Sequence, residues 1–353
     1  MSIHVMSQRV KNMVPPLGKG YLSVRLQTAL MKAHSLLHGR DLLDFSDYSS
    51  EELTALIELS VVLKEAQKTG FTHHLLAGKT LAMVFEKAST RTRVSFEVGM
   101  VQLGGHGLFM SSGTTQMGRG EPISDTAQVL SRYVDGIMIR TFAHDTVKEL
   151  AEHAEVPVIN GLTDEHHPCQ LLADALTILE HKGHLEGVTV AYIGDGNNMA
   201  HSWLQIAPKL GMNIRIASPT GFLPDQAIVE AAKREAMANH TELLITTDPL
   251  RAVDGADVLT TDVWASMGEE SEAEERKLLF QDYQVNQTLA GLAAKDYLFL
   301  HCLPAHRGEE VTAEIIDGSH SVVFDEAENR LHTQKAVLAA LMADSDAFGE
   351  GLA

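Results

Sequence analysis

Nine consecutive residues, Phe85-Glu86-Lys87-Ala88-Ser89-Thr90-Arg91-Thr92-Arg93, carry the densest reactive chemistry in the chain. An apolar run from Thr80 to Phe85 precedes them and a helical pattern follows from about Thr90. The first turn of a helix offers backbone N–H groups without intrahelical partners, together with a partial positive charge, and so receives phosphate. Ser89, Thr90 and Thr92 add hydroxyl donors. Arg91 adds a planar fork of N–H groups that fits two phosphate oxygens at once. The same residue types would serve a capped helix with solvated arginines. Two hydroxyls followed by Arg-Thr-Arg directly after a strand favour an anion site over that reading.

Other reactive side chains also fall at the ends of apolar runs. Arg140 ends Gly136-Ile137-Met138-Ile139-Arg140, and taken alone it reads as a surface arginine. His167 opens a long helical pattern, with Gln170 three residues on and on the same face. A histidine before proline is often only a cap. Asp262 follows the run 258–261, and Cys302 follows 297–300 within His301-Cys302-Leu303-Pro304. A lone cysteine is usually a small buried hydrophobe, but the flanking histidine and proline at a strand end favour a role in a cleft. Cys169 and Cys302 are the only cysteines. Both lie beside histidine, yet there is no paired Cys-x-x-Cys spacing, so no metal and no disulfide framework is expected.

These groups need a scaffold with many strand ends. Strand-like and helix-like segments alternate throughout, the pattern of α/β layers with parallel sheets. Strands are expected at 80–85, 106–110, 136–140, 156–160, 188–193, 213–217, 243–246, 258–261 and 297–300. Ser49-Ser50-Glu51-Glu52 reads as a capping box for a helix that stops at Gly70. Further helices are expected at 90–103, 124–134, 144–154, 167–181 and 329–342. A length of 353 residues suggests two domains. The boundary is placed at 183–187, giving domains of 41–183 and 184–328, with the helix 329–345 packing back on the first. The expected fold is α/β, two parallel-sheet domains flanked by helices and joined by long helices. Open parallel sheets bind ligands at the carboxyl ends of their strands, so the active site is expected in the interdomain cleft. The polar stretch 269–277 reads as a flexible lid.

The formal net charge is −19, from 28 Lys plus Arg against 47 Asp plus Glu. This argues against nucleic acid or an anionic membrane as partner. No apolar run approaches the roughly 18 residues of a membrane span, and the cysteine usage suits the cytoplasm. Residues 1–40 hold six basic residues and no acid. Such a leader can be a transit peptide. Pro15, Pro16, Gly18 and Gly20 favour instead a disordered extension, or a translation start at Met31.

The segment 85–93 resembles the carbamoyl-phosphate signature of the aspartate and ornithine carbamoyltransferases. The likeness then runs in order through His167-Pro168-Cys169-Gln170, Asp262-Val263-Trp264-Ala265-Ser266-Met267-Gly268, His301-Cys302-Leu303-Pro304 and Arg330. It implies that Ser89, Thr90, Arg91 and Arg140 hold phosphate, and that Thr92, Arg140 and His167 contact the carbamoyl oxygen. Gln170 would hold the carbamoyl nitrogen, with Cys302, Leu303 and Arg330 also at the carbamoyl phosphate. Gln116, in the loop 111–121, would reach the carbamoyl phosphate of a neighbouring subunit, which implies a homotrimer. Asn198, Asp262, Ser266 and Met267 would hold the amino-acid end of ornithine, and Cys302 with Asp262 would position and deprotonate its δ-amine. Aspartate-specific relatives carry proline at the position of Cys302, so the pattern favours ornithine, without cofactor and in arginine biosynthesis. Putrescine remains an alternative amine. A dinucleotide-dependent oxidoreductase is the rival from another class, resting on Gly194-Asp195-Gly196. The third glycine of that fingerprint is Met199 here, and no acidic residue ends the second strand.

Overall fold

Four parallel strands organise the first half of the chain and five the second. The computed structural model describes residues 19–265 and 273–345. Ser266 and Met267 lie outside the described residues, as do residues 1–18 and part of the stretch expected to form a lid. Two compact units divide the described chain. One runs to Leu176 and resumes at Glu328, and the other spans Thr177 to Ala327. The division falls inside a helix, a little before the 183–187 expected from composition.

The first unit begins with α1 (Lys19–Leu37) and α2 (Ser50–Thr69). Then follow β1 (Thr80–Phe85), α3 (Thr90–Gln102), β2 (His106–Ser111), α4 (Ile123–Leu130), β3 (Gly136–Arg140), α5 (His144–His153), β4 (Val158–Leu162) and the start of α6 (Pro168–Lys182). The sheet order is β2-β1-β3-β4. Ala82, Val84, Ile137, Ile139 and Val158 on one face of the sheet pack against Ala127, Leu130, Val147 and Leu150 of α4 and α5. The alternate residues Leu81, Met83 and Met138 are also fully buried. Burial on both faces is why these strands read as unbroken apolar runs. The edge strand β2 differs, with Leu108 and Phe109 exposed.

The second unit holds β5 (Thr189–Ile193), α7 (Asn198–Lys209), β6 (Asn213–Ala217), α8 (Gln226–Ala238), β7 (Leu243–Thr246), α9 (Pro249–Val253) and β8 (Val258–Thr261). It continues with α10 (Ala273–Phe280), α11 (Gln287–Ala290), β9 (Leu298–His301) and α12 (Ala313–Ile316). Its parallel sheet has the order β7-β6-β5-β8-β9, with a core of Ile193, Leu259, Phe299, Phe280 and Ile316. The last helix, α13 (Val323–Met342), begins here, and from Glu328 onward it belongs to the first unit. Among the described residues no helix is long and apolar enough to cross a membrane.

The capping box of α2 is present: Ser49 accepts from the Glu52 backbone and Glu52 reaches back, while Gly70 closes the helix at φ 67°. Two expectations are corrected. Residues 19–37 are not a disordered extension but a helix. Leu22, Leu26, Leu30, Ala33 and Leu37 recur at helical spacing and are buried, α1 packs along α2, and Gly39 N donates to Leu341 O at 3.1 Å. Pro15, Pro16 and Gly18 precede this helix in the chain, and Gly20 lies in its first turn without breaking it. The stretch 269–277 is likewise not all loop, because 273–280 is helical. Its end is anchored by Phe280, which is fully buried, and by Arg276, which donates to Asp195 Oδ2 at 2.6 Å and to Trp264 O at 3.0 Å.

Leu30→Ala removes a side chain with no exposed surface. It should destabilise the protein by about 2–5 kcal/mol, the usual range for such a core truncation. Chemical denaturation checks this, since an N-terminal extension that did not pack would give no change.

Candidate active site

The phosphate segment lies where three parallel strands end together. Phe85 of β1 is in register with Arg140 of β3, and Arg140 pairs with Leu162 of β4. Glu86 N donates to Arg140 O at 2.9 Å, and Thr141 N donates to Leu162 O at 3.0 Å. The loops leaving β1 and β4 are thereby held beside the end of β3. Each loop then opens a helix. Ser89 caps α3, its Oγ accepting from Thr92 N at 3.2 Å and donating to Thr92 Oγ1 at 3.1 Å. His167 precedes α6, its carbonyl accepting from Gln170 N at 3.1 Å.

Arg330 of α13 ties the two helix starts together. It donates to Gln170 Oε1 at 2.6 Å and to Thr92 Oγ1 at 3.3 Å. Thr92, Arg140, His167, Gln170 and Arg330 are all buried, while Ser89 and Arg91 are partly and Thr90 fully open to solvent. The imidazole of His167 is held well below its usual 6.5, chiefly by burial and then by the positive charges of Arg330, Arg140 and Arg91. Three guanidiniums therefore converge on one neutral histidine. A neutral imidazole can donate one N–H to a carbonyl oxygen while the arginines meet an anion. Gln170 Nε2 donates to Asp174 Oδ1 at 2.8 Å, which fixes the amide so that its oxygen faces Arg330. Lys87, in the same loop, is a different case. It pairs with Asp164 and lies 4.3 Å from the centre of the Phe142 ring, so it is buried and already neutralised.

Gln116 is exposed on a turn after β2, where its carbonyl accepts from Arg119 N at 2.8 Å and Glu121 N at 3.1 Å. Cys169 is a packing residue: its Sγ donates to Asn160 O at 3.4 Å and burial pushes the thiol up to about 11.

The second unit holds the other group of expected residues. Asp262 follows β8, Cys302 follows β9, and the Cys302 Sγ donates to Asp262 Oδ1 at 3.1 Å. Asp262 and Asn198, the first residue of α7, are both buried. Leu303 follows Cys302, its N–H donating to His301 Nδ1 at 2.9 Å. The His301 Nε2 then points to Glu310 Oε1 at 3.2 Å. Burial raises the pKa of Glu310, but hydrogen bonds from His301 and from the His306 backbone outweigh that and hold it below its usual value. Sequence reasoning missed Tyr192, whose pKa burial raises strongly, with Asp262, Asp195 and Cys302 adding to the effect. It is hidden in an apolar strand run, where only its hydroxyl distinguishes it. The Gly-Asp-Gly turn has a packing explanation. Gly196 N donates to Phe222 O at 2.8 Å, and a Cβ on Gly196 would sit 2.3 Å from Pro224 N. Backbone passes where a dinucleotide phosphate would have to lie.

The carbamoyl-P binding domain model of the aspartate/ornithine carbamoyltransferases matches residues 40–180, and the Asp/Orn binding domain model of the same enzymes matches residues 186–341. An ornithine carbamoyltransferase of Carboxydothermus hydrogenoformans is 60% identical over 304 residues, covering 86% of this chain and 98% of its own. One from Pyrococcus abyssi is 56% identical over 306 residues, 87% of this chain and 96% of its own. Among solved structures, ornithine carbamoyltransferase from Pyrococcus furiosus superposes with a TM-score of 0.84 at 55% identity, covering 86% of this chain and 97% of that one. The anabolic enzyme of Campylobacter jejuni gives 0.79 at 41% identity, covering 85% and 97%.

The depressed pKa of His167 has a consequence for stability. Below its unfolded value near 6.5 the unfolded chain binds a proton that the folded chain refuses, so stability is lost as pH falls through 6.5. The fall in denaturation midpoint between pH 7.5 and pH 5.5 should be smaller in His167→Gln than in the parent. Equal slopes in the two proteins would show that His167 is not held neutral.

Proposed function

The chain belongs to the aspartate/ornithine carbamoyltransferase family, and from that premise we propose that it transfers the carbamoyl group of carbamoyl phosphate to the δ-amine of L-ornithine, giving L-citrulline and phosphate. The observation that carries this reading is the convergence of Arg91, Arg140 and Arg330 on a neutral, buried His167 at two helix starts. A dianionic phosphate and a carbonyl oxygen are the ligands that such a set of donors fits.

In this reading Ser89, Thr90, Arg91 and Arg140 bind the phosphate. Thr92, Arg140 and His167 donate to the carbonyl oxygen, and Gln170 holds the carbamoyl nitrogen. Attack by the amine places negative charge on that oxygen, and donors already aimed at it stabilise the charge without reorganising. The same arginines stabilise phosphate as it leaves. Only the uncharged δ-amine is a nucleophile. Asp262 supplies a counter-charge for the α-ammonium, with Asn198, Ser266 and the backbone of Met267 holding the rest of the amino-acid end. Cys302, whose Sγ is hydrogen-bonded to Asp262, would help to position the δ-amine, with Leu303 at the carbamoyl phosphate. The attacking nitrogen loses its proton as the C–N bond forms, and we assign the Asp262–Cys302 pair to accept it.

We place the reaction in arginine biosynthesis, on the likeness of 305–310 to the biosynthetic members, and in the cytoplasm, where a free cleft thiol stays reduced. We also propose a homotrimer in which Gln116 reaches the carbamoyl phosphate of the next subunit. The exposed apolar residues Val94, Val98 and Val101 on α3 and Leu108 and Phe109 on the edge strand β2 support an interface there.

Citrulline should form from ornithine and carbamoyl phosphate without any nicotinamide absorbance change, and ornithine should outcompete putrescine, N-acetylornithine and aspartate. Arg91→Ala should lower kcat by about 10²–10³-fold, the effect of losing one preorganised donor, with the fold intact by circular dichroism. Cys302→Ala should act mainly on the KM for ornithine, raising it by up to about tenfold, as expected for the loss of one hydrogen bond. Near-parental kinetics in both variants would overturn these roles. Sedimentation should return three times the 38.5 kDa chain mass.

A further inference from the structure

Asp44, His144 and His166 have no part in the carbamoyl chemistry, yet the first unit brings them to one point. Asp44 lies two residues after Leu42, which bridges to Ile159 of β4. His144 is the first residue of α5, and His166 sits in the loop between β4 and α6. One ligand atom from each lies within 4.8 Å of the others. Asp44 Oδ2 is 3.4 Å from His144 Nε2 and 4.0 Å from His166 Nε2. The two rings stand edge to face with centroids 4.7 Å apart. An ordinary carboxylate–histidine pair needs one ring, whereas here two imidazole nitrogens converge on the same carboxylate oxygen.

We propose that Asp44, His144 and His166 form a binding site for a divalent transition metal ion such as Zn²⁺. Two imidazoles and one carboxylate are the donor set that zinc takes, with a fourth position left for water. Metal–ligand bonds of about 2.0–2.1 Å in tetrahedral geometry set ligand atoms about 3.3 Å apart. The 3.4 Å separation already meets this, and the 4.0 Å one closes by a small turn of a ring. The outer contacts that hold such ligands are also present. Ser46 N donates to Asp44 Oδ1 at 2.6 Å, and His144 Nδ1 lies 3.2 Å from Thr163 Oγ1. Donation of Nδ1–H to that hydroxyl leaves the Nε2 lone pair for the metal. Both histidines are buried while Asp44 is partly exposed, so the ion enters from the carboxylate side. Mg²⁺ and Ca²⁺ require oxygen-rich shells that this cluster lacks.

The test is zinc titration of the full-length, metal-free protein by calorimetry, with X-ray absorption at the zinc edge. About one equivalent per chain should bind. The spectrum should show nitrogen and oxygen donors with no sulfur at about 2.3 Å. Binding should survive in Cys302→Ser, which removes the thiol from the other buried cluster, Asp262, His301 and Cys302. It should weaken by more than about 100-fold in His144→Gln and in Asp44→Asn, a larger loss than removal of an outer-shell contact gives. If those variants fail to fold, His306→Ala decides: it removes a ligand of the cluster of His306, Glu309 and Glu310, so binding that survives in it keeps the ion at Asp44, His144 and His166, and binding lost in it overturns the proposal. No binding at about 100 μM zinc, a sulfur ligand, or binding lost in Cys302→Ser would overturn the proposal. So would undiminished binding in folded His144→Gln, which would move the ion to the cluster of His306, Glu309 and Glu310.

Discussion

Positive charge confined in a buried space is the constraint around which the first unit is built. Two unit charges about 4 Å apart repel by about 4 kcal/mol at the effective dielectric constant near a protein surface. Arg91, Arg140 and Arg330 nevertheless all act on the same imidazole. A carboxylate among them would relieve the repulsion, but it would also take the place of the incoming anion. Arg330 meets two neutral oxygens, the amide of Gln170 and the hydroxyl of Thr92, which help to orient its guanidinium. Lys87 shows the contrast: it does have a carboxylate partner in Asp164 and so does not compete for the ligand. The helix start at Ser89 adds its own partial positive charge to that of the arginines.

The second unit carries the opposite polarity. Asp262, Asp195 and the Cys302 thiol all act on Tyr192, and of these carboxylates Asp195 is neutralised by Arg276. Asp262 keeps neutral company, the Cys302 thiol and the Val263 N–H, which donates to it at 2.8 Å. The pattern mirrors that of Arg330. In the proposed reading, a chain with a net charge of −19 presents a cationic site to one substrate and an anionic grip to the other.

What the sequence reveals depends on how far apart the partners lie along it. The strand, turn and helix at 80–102 were legible because phosphate affinity, capping and apolar burial are all encoded within twenty-odd consecutive residues. Arg330 was identifiable only through family likeness, because its partners Thr92 and Gln170 lie far away in the chain. The Asp44, His144 and His166 cluster was invisible for the same reason, although each residue is plain to read. The misreadings were local. In 19–37 the spacing of Leu22, Leu26, Leu30 and Leu37 already marks a helix, but the prolines and glycines upstream were allowed to speak for the whole segment. In 273–280 the charged residues suggest solvent, and Leu278 and Leu279 are indeed exposed, but Phe280 and the buried Arg276 anchor the helix. Polarity locates a surface, and it does not separate helix from loop.

The first unit is discontinuous. Lys64 donates to Asn329 Oδ1 at 2.7 Å, and the next residue is Arg330. An N-terminal fragment ending after β4 would contain the strand ends, the capped helix and both other guanidiniums, and would still lack the side chain that joins Thr92 to Gln170. In the proposed reading, a chain still being synthesised completes its carbamoyl-phosphate site only once α13 has been made, after the whole of the second unit, so a truncated chain would not sequester a reactive metabolite that it has no means of using.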